Sequence, residues 1–396
     1  MVPNERDDFD ERSDFDERDD FDERSDFDER DDFDERNDRN HEEQAVTMPE
    51  NWWIYRGTGV PHDGIAALPP APAWRSFGDW VDSEEELPPP PADDATGPTA
   101  RRLGRTRQAT AYQADEREIH LVNLALHLRR PLLITGKPGV GKSTLAYAVA
   151  HELGLGPVLR WSVSSRSTLR DGLYTYDAIG RLHEAGLRAP RHDGDPAGDR
   201  QPPAIGQFLR LGPLGTALLP WRTPRVVLID EIDKSDIDLP NDLLNVFEEG
   251  EFEIPELQRL GPGPQEVAIA DPGRRATVRG GHVRCAHFPL VVLTSNGERE
   301  FPSALLRRCV RLEIQPPTEE RLAAMVAAHL GADRSEDGLR RAELITEFLR
   351  RQREDGADLA NDQLLNALLM AERGLWGSGP GRDVIHDVLL RPLNES

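Results

Sequence analysis

The sequence predicts an α/β fold: a parallel five-stranded sheet flanked by helices, followed by a small all-helical domain. Three observations carry this expectation. Five short apolar runs, Pro131–Thr135, Val158–Val163, Val226–Ile229, Leu290–Leu293 and Val310–Ile314, alternate with helical stretches and are bounded by turn residues. Strands buried on both faces of a sheet read this way. A glycine-rich stretch at 136–143 joins the first run to a helix, Thr144–Leu153. After Pro316-Pro317 the pattern becomes purely helical, over Glu319–Leu330, Leu339–Gln352, Asn361–Leu375 and Val384–Leu390. The expected organisation is therefore 101–316 for the α/β domain and 317–396 for the helical one.

The N-terminal part has a different composition. From Asp7 to Arg36 five hexapeptides read (D/S)-D-F-D-E-R, and residues 1–47 hold 22 acidic and 7 basic groups. One Phe in six residues among carboxylates supplies no core, so this acidic repeat is expected to be disordered. An acidic interaction tail is the functional alternative, and Met48 is a candidate natural start. Residues 48–100 form a second segment, in which Trp52, Trp53, Tyr55, Trp74, Phe77 and Trp80 sit among prolines and end in Pro88-Pro89-Pro90-Pro91. Such a density of aromatic rings calls for burial, while the prolines prevent regular elements. The segment reads as an extended arm docked on its own domain or on a neighbouring subunit. A helix follows from Asp115, with Leu121, Leu124, Ala125 and Leu128 at helical spacing.

Charge and cysteine usage bound the function. The chain carries a formal net charge of −24, and the 349 residues after the repeat hold 50 acidic and 41 basic groups. A mildly acidic body argues against a broad nucleic-acid footprint. The two cysteines, Cys285 and Cys309, form no ligand pattern for zinc. No apolar run approaches the roughly 18 residues that span a bilayer. These features fit a cytoplasmic protein.

Four motifs carry chemistry. The first is Gly136-Lys137-Pro138-Gly139-Val140-Gly141-Lys142-Ser143, followed by Thr144, with a strand before it and a helix after it. Glycines let backbone N–H groups turn around phosphates, Lys142 brings a cation to them, and the Ser143 hydroxyl is placed to ligate Mg²⁺. The second is Val226-Val227-Leu228-Ile229-Asp230-Glu231, an apolar strand that ends in two carboxylates. Asp230 is placed to hold Mg²⁺ and Glu231 to act as base or orienter for an attacking water. The third is Asn296, at the polar end of Leu293-Thr294-Ser295-Asn296, where an amide suits the space between a γ-phosphate and that water. The fourth is Arg307-Arg308, directly before the fifth strand. An arginine there suits the transition-state charge of a neighbouring subunit's site, or else complements the dipole of its own helix. The adjacent acid at Glu231 and the lack of an Asn-Lys-x-Asp motif favour ATP over GTP.

In this order the motifs resemble the AAA+ ATPases, and within them the MoxR-like group, over the chain from about Arg101 onward. Lys142 and Ser143 match the Walker A positions, Asp230 and Glu231 match Walker B, and Asn296 matches sensor 1. Arg308 best matches the arginine finger, with Arg307 as runner-up. Lys142 and Asp230 stand 88 residues apart, long for this fold. The stretch Leu169–Asp177 looks like the helix-2 insertion of that group, and Phe247–Ile254, with a later β-like stretch before Asn296, resembles the hairpin preceding sensor 1. One departure is the lid stretch Leu359-Ala360-Asn361-Asp362-Gln363-Leu364, which lacks the arginine often found at sensor 2.

The resemblance implies an ATP- and Mg²⁺-dependent remodelling ATPase that forms a homo-oligomer, a hexameric ring, and acts on a protein client. A partner with a von Willebrand factor A domain and a bacterial conflict system are the contexts the family suggests. Two alternatives stand beside this: a nucleic-acid-directed motor such as a restriction-type NTPase, and a scaffold that binds ATP only to assemble.

Overall fold

The computed structural model describes residues 52–77, 86–88, 112–188, 203–330, 344–351 and 361–373, with positions 110, 342, 359, 389 and 391. The acidic repeat, Met48, Trp80, Pro89–Pro91 and the Val384–Leu390 stretch apart from Leu389 lie outside the described residues.

In chain order the α/β part runs α1 (Glu116–Leu128), β1 (Leu132–Thr135), α2 (Lys142–Glu152), β2 (Leu159–Ser162), α3 (Leu169–Leu173) and β3 (Tyr174–Tyr176). It continues through α4 (Ala178–Arg188), β4 (Leu209–Leu211), α5 (Pro213–Ala217), β5 (Val226–Asp230), α6 (Leu239–Glu249) and β6 (Glu251–Glu253). The last elements of this part are β7 (Pro264–Ala268), β8 (Arg275–Arg279), β9 (His282–Arg284), β10 (Leu290–Ser295), α7 (Ser303–Arg308) and β11 (Val310–Glu313). A helical lid follows, with α8 (Glu319–Leu330), a helical stretch at 344–351 and α9 (Asn361–Glu372).

The five apolar runs form one sheet in the order β11-β1-β10-β5-β2, and every pairing is parallel. Their continuous hydrophobicity has a direct cause. Leu133, Val227, Ile229, Val291 and Leu293 feed the apolar cluster on one face, while Leu132, Ile134, Leu228, Val292 and Leu312 feed the cluster on the other. Successive residues point to opposite faces, and both faces are buried. Because β1, β10 and β5 are neighbours and parallel, the residues after their C-terminal ends lie side by side: Gly136, Asn296 and Glu231.

A second sheet of six strands, in the order β3-β4-β7-β8-β9-β6, occupies the segments between α2 and β10. Here α3 and α5 pack on each other, with β3, α4 and β4 inserted between them. The stretch Phe247–Ile254 meets a later strand that precedes Asn296. Its first half closes α6, Gly250 turns the chain at φ +64°, and β6 pairs antiparallel with β9 more than thirty residues on. Glycine is required there, since a Cβ would lie 2.5 Å from the Phe77 ring.

The helix expected from Asp115 is present, held at its start by a capping box between Asp115 and Glu118. Its buried face matches the one read by spacing in part: Ala125 is buried and Leu121 packs against the core. Ile119, Val122, Asn123 and Leu126 face inward, whereas Leu124 is exposed. A count of apolar residues alone passes over Asn123, which is buried because it serves the arm. The Asn123 side chain accepts from the amides of Ile54 (2.7 Å) and Tyr55 (2.9 Å) and donates to the carbonyl of Tyr55 (2.7 Å).

The arm thus packs on its own domain. Ile54 and Tyr55 enter the apolar cluster under α1 and α2. Residues 56–59 wrap the buried carboxylate of Glu152, which accepts from the amides of Arg56 (2.6 Å), Gly57 (3.1 Å) and Gly59 (2.8 Å). Further along, Arg75 is buried against the stacked rings of Phe77 and Phe288 and donates to the carbonyl of Arg129 at 2.6 Å. Trp74, by contrast, is 78% exposed. Among the described residues no helix is long and apolar enough to cross a membrane.

Candidate functional site

The loop between β1 and α2 has backbone that only glycine adopts without strain. Gly136, Gly139 and Gly141 have φ of +149°, +76° and +102°. A Cβ at Gly136 would meet the Ile314 carbonyl oxygen at 2.6 Å. Gly141 is the N-cap of α2, and no side chain bonds to the helix start. A helix N-terminus without a side-chain cap, together with its dipole, makes a ready seat for phosphate. Lys137 and Pro138 complete the loop, Val140 packs into the core, and Thr144 is held through its amide to the Gly141 carbonyl at 2.9 Å.

Lys142 begins α2 and is nearly buried. Its ammonium donates to the carbonyls of Gly136 (2.7 Å) and Lys137 (2.8 Å) and to Oδ1 of Asn296 (2.7 Å). Burial pushes its pKa down, and the nearby Asp233, Asp230 and Glu231 oppose that shift.

Asp230 ends β5 with both carboxylate oxygens engaged. Oδ1 accepts from Ser143 Oγ (2.7 Å) and Thr294 Oγ1 (2.8 Å), while Oδ2 accepts from Arg160 Nη2 (2.5 Å) and Nε (3.1 Å). Burial raises its pKa, but the two hydroxyls and the guanidinium outweigh burial and hold it below the ordinary carboxylate value. An ionised carboxylate beside a serine hydroxyl is the hard oxygen pair that suits Mg²⁺. Among the described residues no group of three or more His, Cys, Asp and Glu converges on a metal position. Ser143 and Asp230, 2.7 Å apart, are the adjacent oxygen donors that could hold such an ion.

Glu231 follows β5 in the left-handed region, at φ +61° and ψ +50°. For a non-glycine residue this conformation costs about 1–3 kcal/mol and recurs at functional sites. Its amide donates to Thr294 Oγ1 at 2.9 Å, which fixes the turn. Its half-exposed carboxylate pairs with Lys234 at 3.0 Å. Asn296 is fixed from behind, because its amide and that of Glu298 donate to Asp233 Oδ2 at 2.8 and 3.3 Å.

The structure therefore brings Lys142, Ser143, Asp230, Glu231 and Asn296 into one cluster. Arg308 lies apart from it. Its guanidinium pairs with Glu248 at the end of α6 and donates to the Ala304 carbonyl at 3.3 Å. Glu248 is shared with Arg75 of the arm at 3.4 Å, and the Arg307 side chain is exposed. Four contributors escaped the motif reading: Arg160, Thr294, Asp233 and Lys234. Thr294 was visible as a hydroxyl directly after four apolar residues of its strand. Arg160 was visible only as a cation inside an apolar run, and its reach to Asp230 depends on β2 lying next to β5.

Residues 132–317 match the family model described as ATPase family associated with various cellular activities (AAA). No curated protein matches the chain.

Proposed function

From the premise that residues 132–317 form an AAA ATPase domain, we propose that the chain is an ATP-hydrolysing, MoxR-like remodelling ATPase that works as a ring on a protein client. The observation that carries this reading is the convergence of Lys142, Asn296, Ser143, Asp230 and Glu231 beyond three adjacent parallel strands. In this assignment the loop amides and Lys142 seat the phosphates of ATP. Ser143 and Asp230 would hold Mg²⁺, which would supply charge neutralisation at those phosphates. Glu231 leaves Lys234 to orient the attacking water and take its proton, and Asn296 fixes the γ-phosphate side of that water.

The insertion of β3, α4 and β4 between α3 and α5 supports the assignment to the helix-2-insert group. The arginine offered to a neighbouring copy is Arg308, once released from Glu248, or the already exposed Arg307. A von Willebrand A domain protein, in a bacterial conflict system or elsewhere, is the partner this group suggests. The test is Glu231→Gln in the full chain, with phosphate release and mass by light scattering measured with ATP. Loss of turnover with a ring retained in ATP is expected. Turnover at the parent rate would overturn the assignment of Glu231, and an unchanged monomer in both proteins would overturn the ring.

A further inference from the structure

The lid has its own core, built on Leu322, Val326, Phe348 and Leu364 and distinct from the two clusters of the α/β domain. A polar crossing between lid and α/β domain is made by Arg321. Arg321, in the first turn of α8, donates from Nη2 to the Gln113 carbonyl at 2.6 Å and to Glu118 Oε1 and Oε2 at 3.0 and 3.2 Å. Its Nη1 reaches Asp115 Oδ2 at 3.3 Å. The Glu118 side chain is 1% exposed, so a buried carboxylate of the α/β domain takes its countercharge from the lid.

The same carboxylate has a second partner. The Tyr112 hydroxyl donates to Glu118 Oε2 at 2.9 Å, and the Arg321 guanidinium lies 5.9 Å from the centre of the Tyr112 ring. That ring stands against the phosphate loop, where a Cβ added to Gly141 would touch Tyr112 Cε2 at 3.2 Å. Gly141 caps the helix whose amides form the phosphate seat. Glu118 thus fixes the backing of the loop on one side and the docked lid on the other. A lid that swings away strips a buried charge of its guanidinium, a costly rearrangement. A loop that shifts displaces Tyr112 and with it the acceptor of Arg321.

We propose that Arg321, Glu118 and Tyr112 are positioning residues that tie the lid to the phosphate loop, so that nucleotide in the loop is felt in α8. They take the part left open by the lid stretch 359–364, which carries no arginine. The inference rests on the reading of 136–143 as a nucleotide site.

The test uses the full chain, with ADP as probe, calorimetry for affinity and hydrogen exchange for residues 137–143 and 319–330. In the parent, ADP slows exchange in both segments. In Arg321→Ala the loop remains protected, α8 loses its ADP-dependent protection and the Kd for ADP rises about 10-fold, within the usual range of coupling between sites. Arg321→Lys recovers part of the protection, because it restores charge without the fork. Tyr112→Phe, which removes one hydroxyl and keeps the ring on Gly141, shows a partial loss and guards against a folding defect in the alanine variant. ADP-dependent protection of α8 that is unchanged in Arg321→Ala overturns the link alone. A parent chain that binds no ADP overturns the nucleotide reading beneath it.

Discussion

Lys142 and Asn296 stand 154 positions apart in the chain, yet Nζ of one donates to Oδ1 of the other at 2.7 Å. The meeting follows from strand order, because β1 and β10 are parallel neighbours: Asn296 directly follows β10, and the loop after β1 brings Lys142, at the start of α2, back over the same end of the sheet. Asn296→Ala is expected to leave ATP affinity within about threefold while kcat falls about 10²-fold, the scale of losing one oriented polar group at a reacting centre. Calorimetry and phosphate release separate the two effects. An affinity loss with normal turnover would place Asn296 in binding alone.

The buried pair Arg225–Asp271 is the second target. Arg225 is fully buried, bonds Asp271 through Nη1 (2.9 Å) and Nη2 (3.0 Å), and lies 4.9 Å from the Trp221 ring. It joins the edge of β5 to the turn between β7 and β8, and so ties one sheet to the other. Asp271→Ala strands the guanidinium and should cost about 3–5 kcal/mol in urea unfolding. A loss below about 1 kcal/mol would show that water reaches and satisfies Arg225.

Glu152 tests the docking of the arm. Its carboxylate accepts three backbone amides between Arg56 and Gly59 as well as the Thr58 hydroxyl. Glu152→Ala leaves those donors without acceptors, and a cost of about 3 kcal/mol is expected. Limited proteolysis should then cut within residues 56–62, where the parent resists. Equal resistance in the two proteins would mean that Ile54 and Tyr55 hold the arm without help.

The thiols supply a prediction about pH. Burial pushes both Cys285 and Cys309 up to about 12 from an ordinary value of 9.0. The folded values exceed the unfolded one, so their contribution to stability is complete below pH 9 and is lost as pH rises toward 12. At pH 8 a thiol reagent should label neither cysteine in the native chain and both in denaturant. Fast native labelling would contradict the packing of either thiol.

The sequence carried the central sheet clearly, because strands such as β5 and β10 are buried on both faces and run through four apolar residues before their polar C-terminal ends. The second sheet was much less legible. Its strands are three to five residues long and alternate exposed with buried positions, as in β8, so none forms an apolar run. Its pairings are also distant, with Glu251 opposite Arg284. Within the site, Lys142, Ser143 and Asp230 were legible because each belongs to a local motif. Arg160 and Asp233 were not, since what they do depends on a neighbouring strand and a neighbouring loop. Aromatic density pointed to the arm as a packed segment. Its anchors Asn123 and Glu152 went unread because they grip backbone amides, which leave no trace in side-chain composition.

One consequence of α2 concerns mechanics. The helix starts at Lys142 in the phosphate seat and ends at Glu152 in the grip of the arm. Over eleven residues it spans about 16 Å with every turn internally bonded. It acts as a tie-rod with no joint along its length. A tilt at the loop end of such a helix moves Glu152 and the backbone of residues 56–59 bonded to it. The arm and the nucleotide seat are two ends of one stiff member.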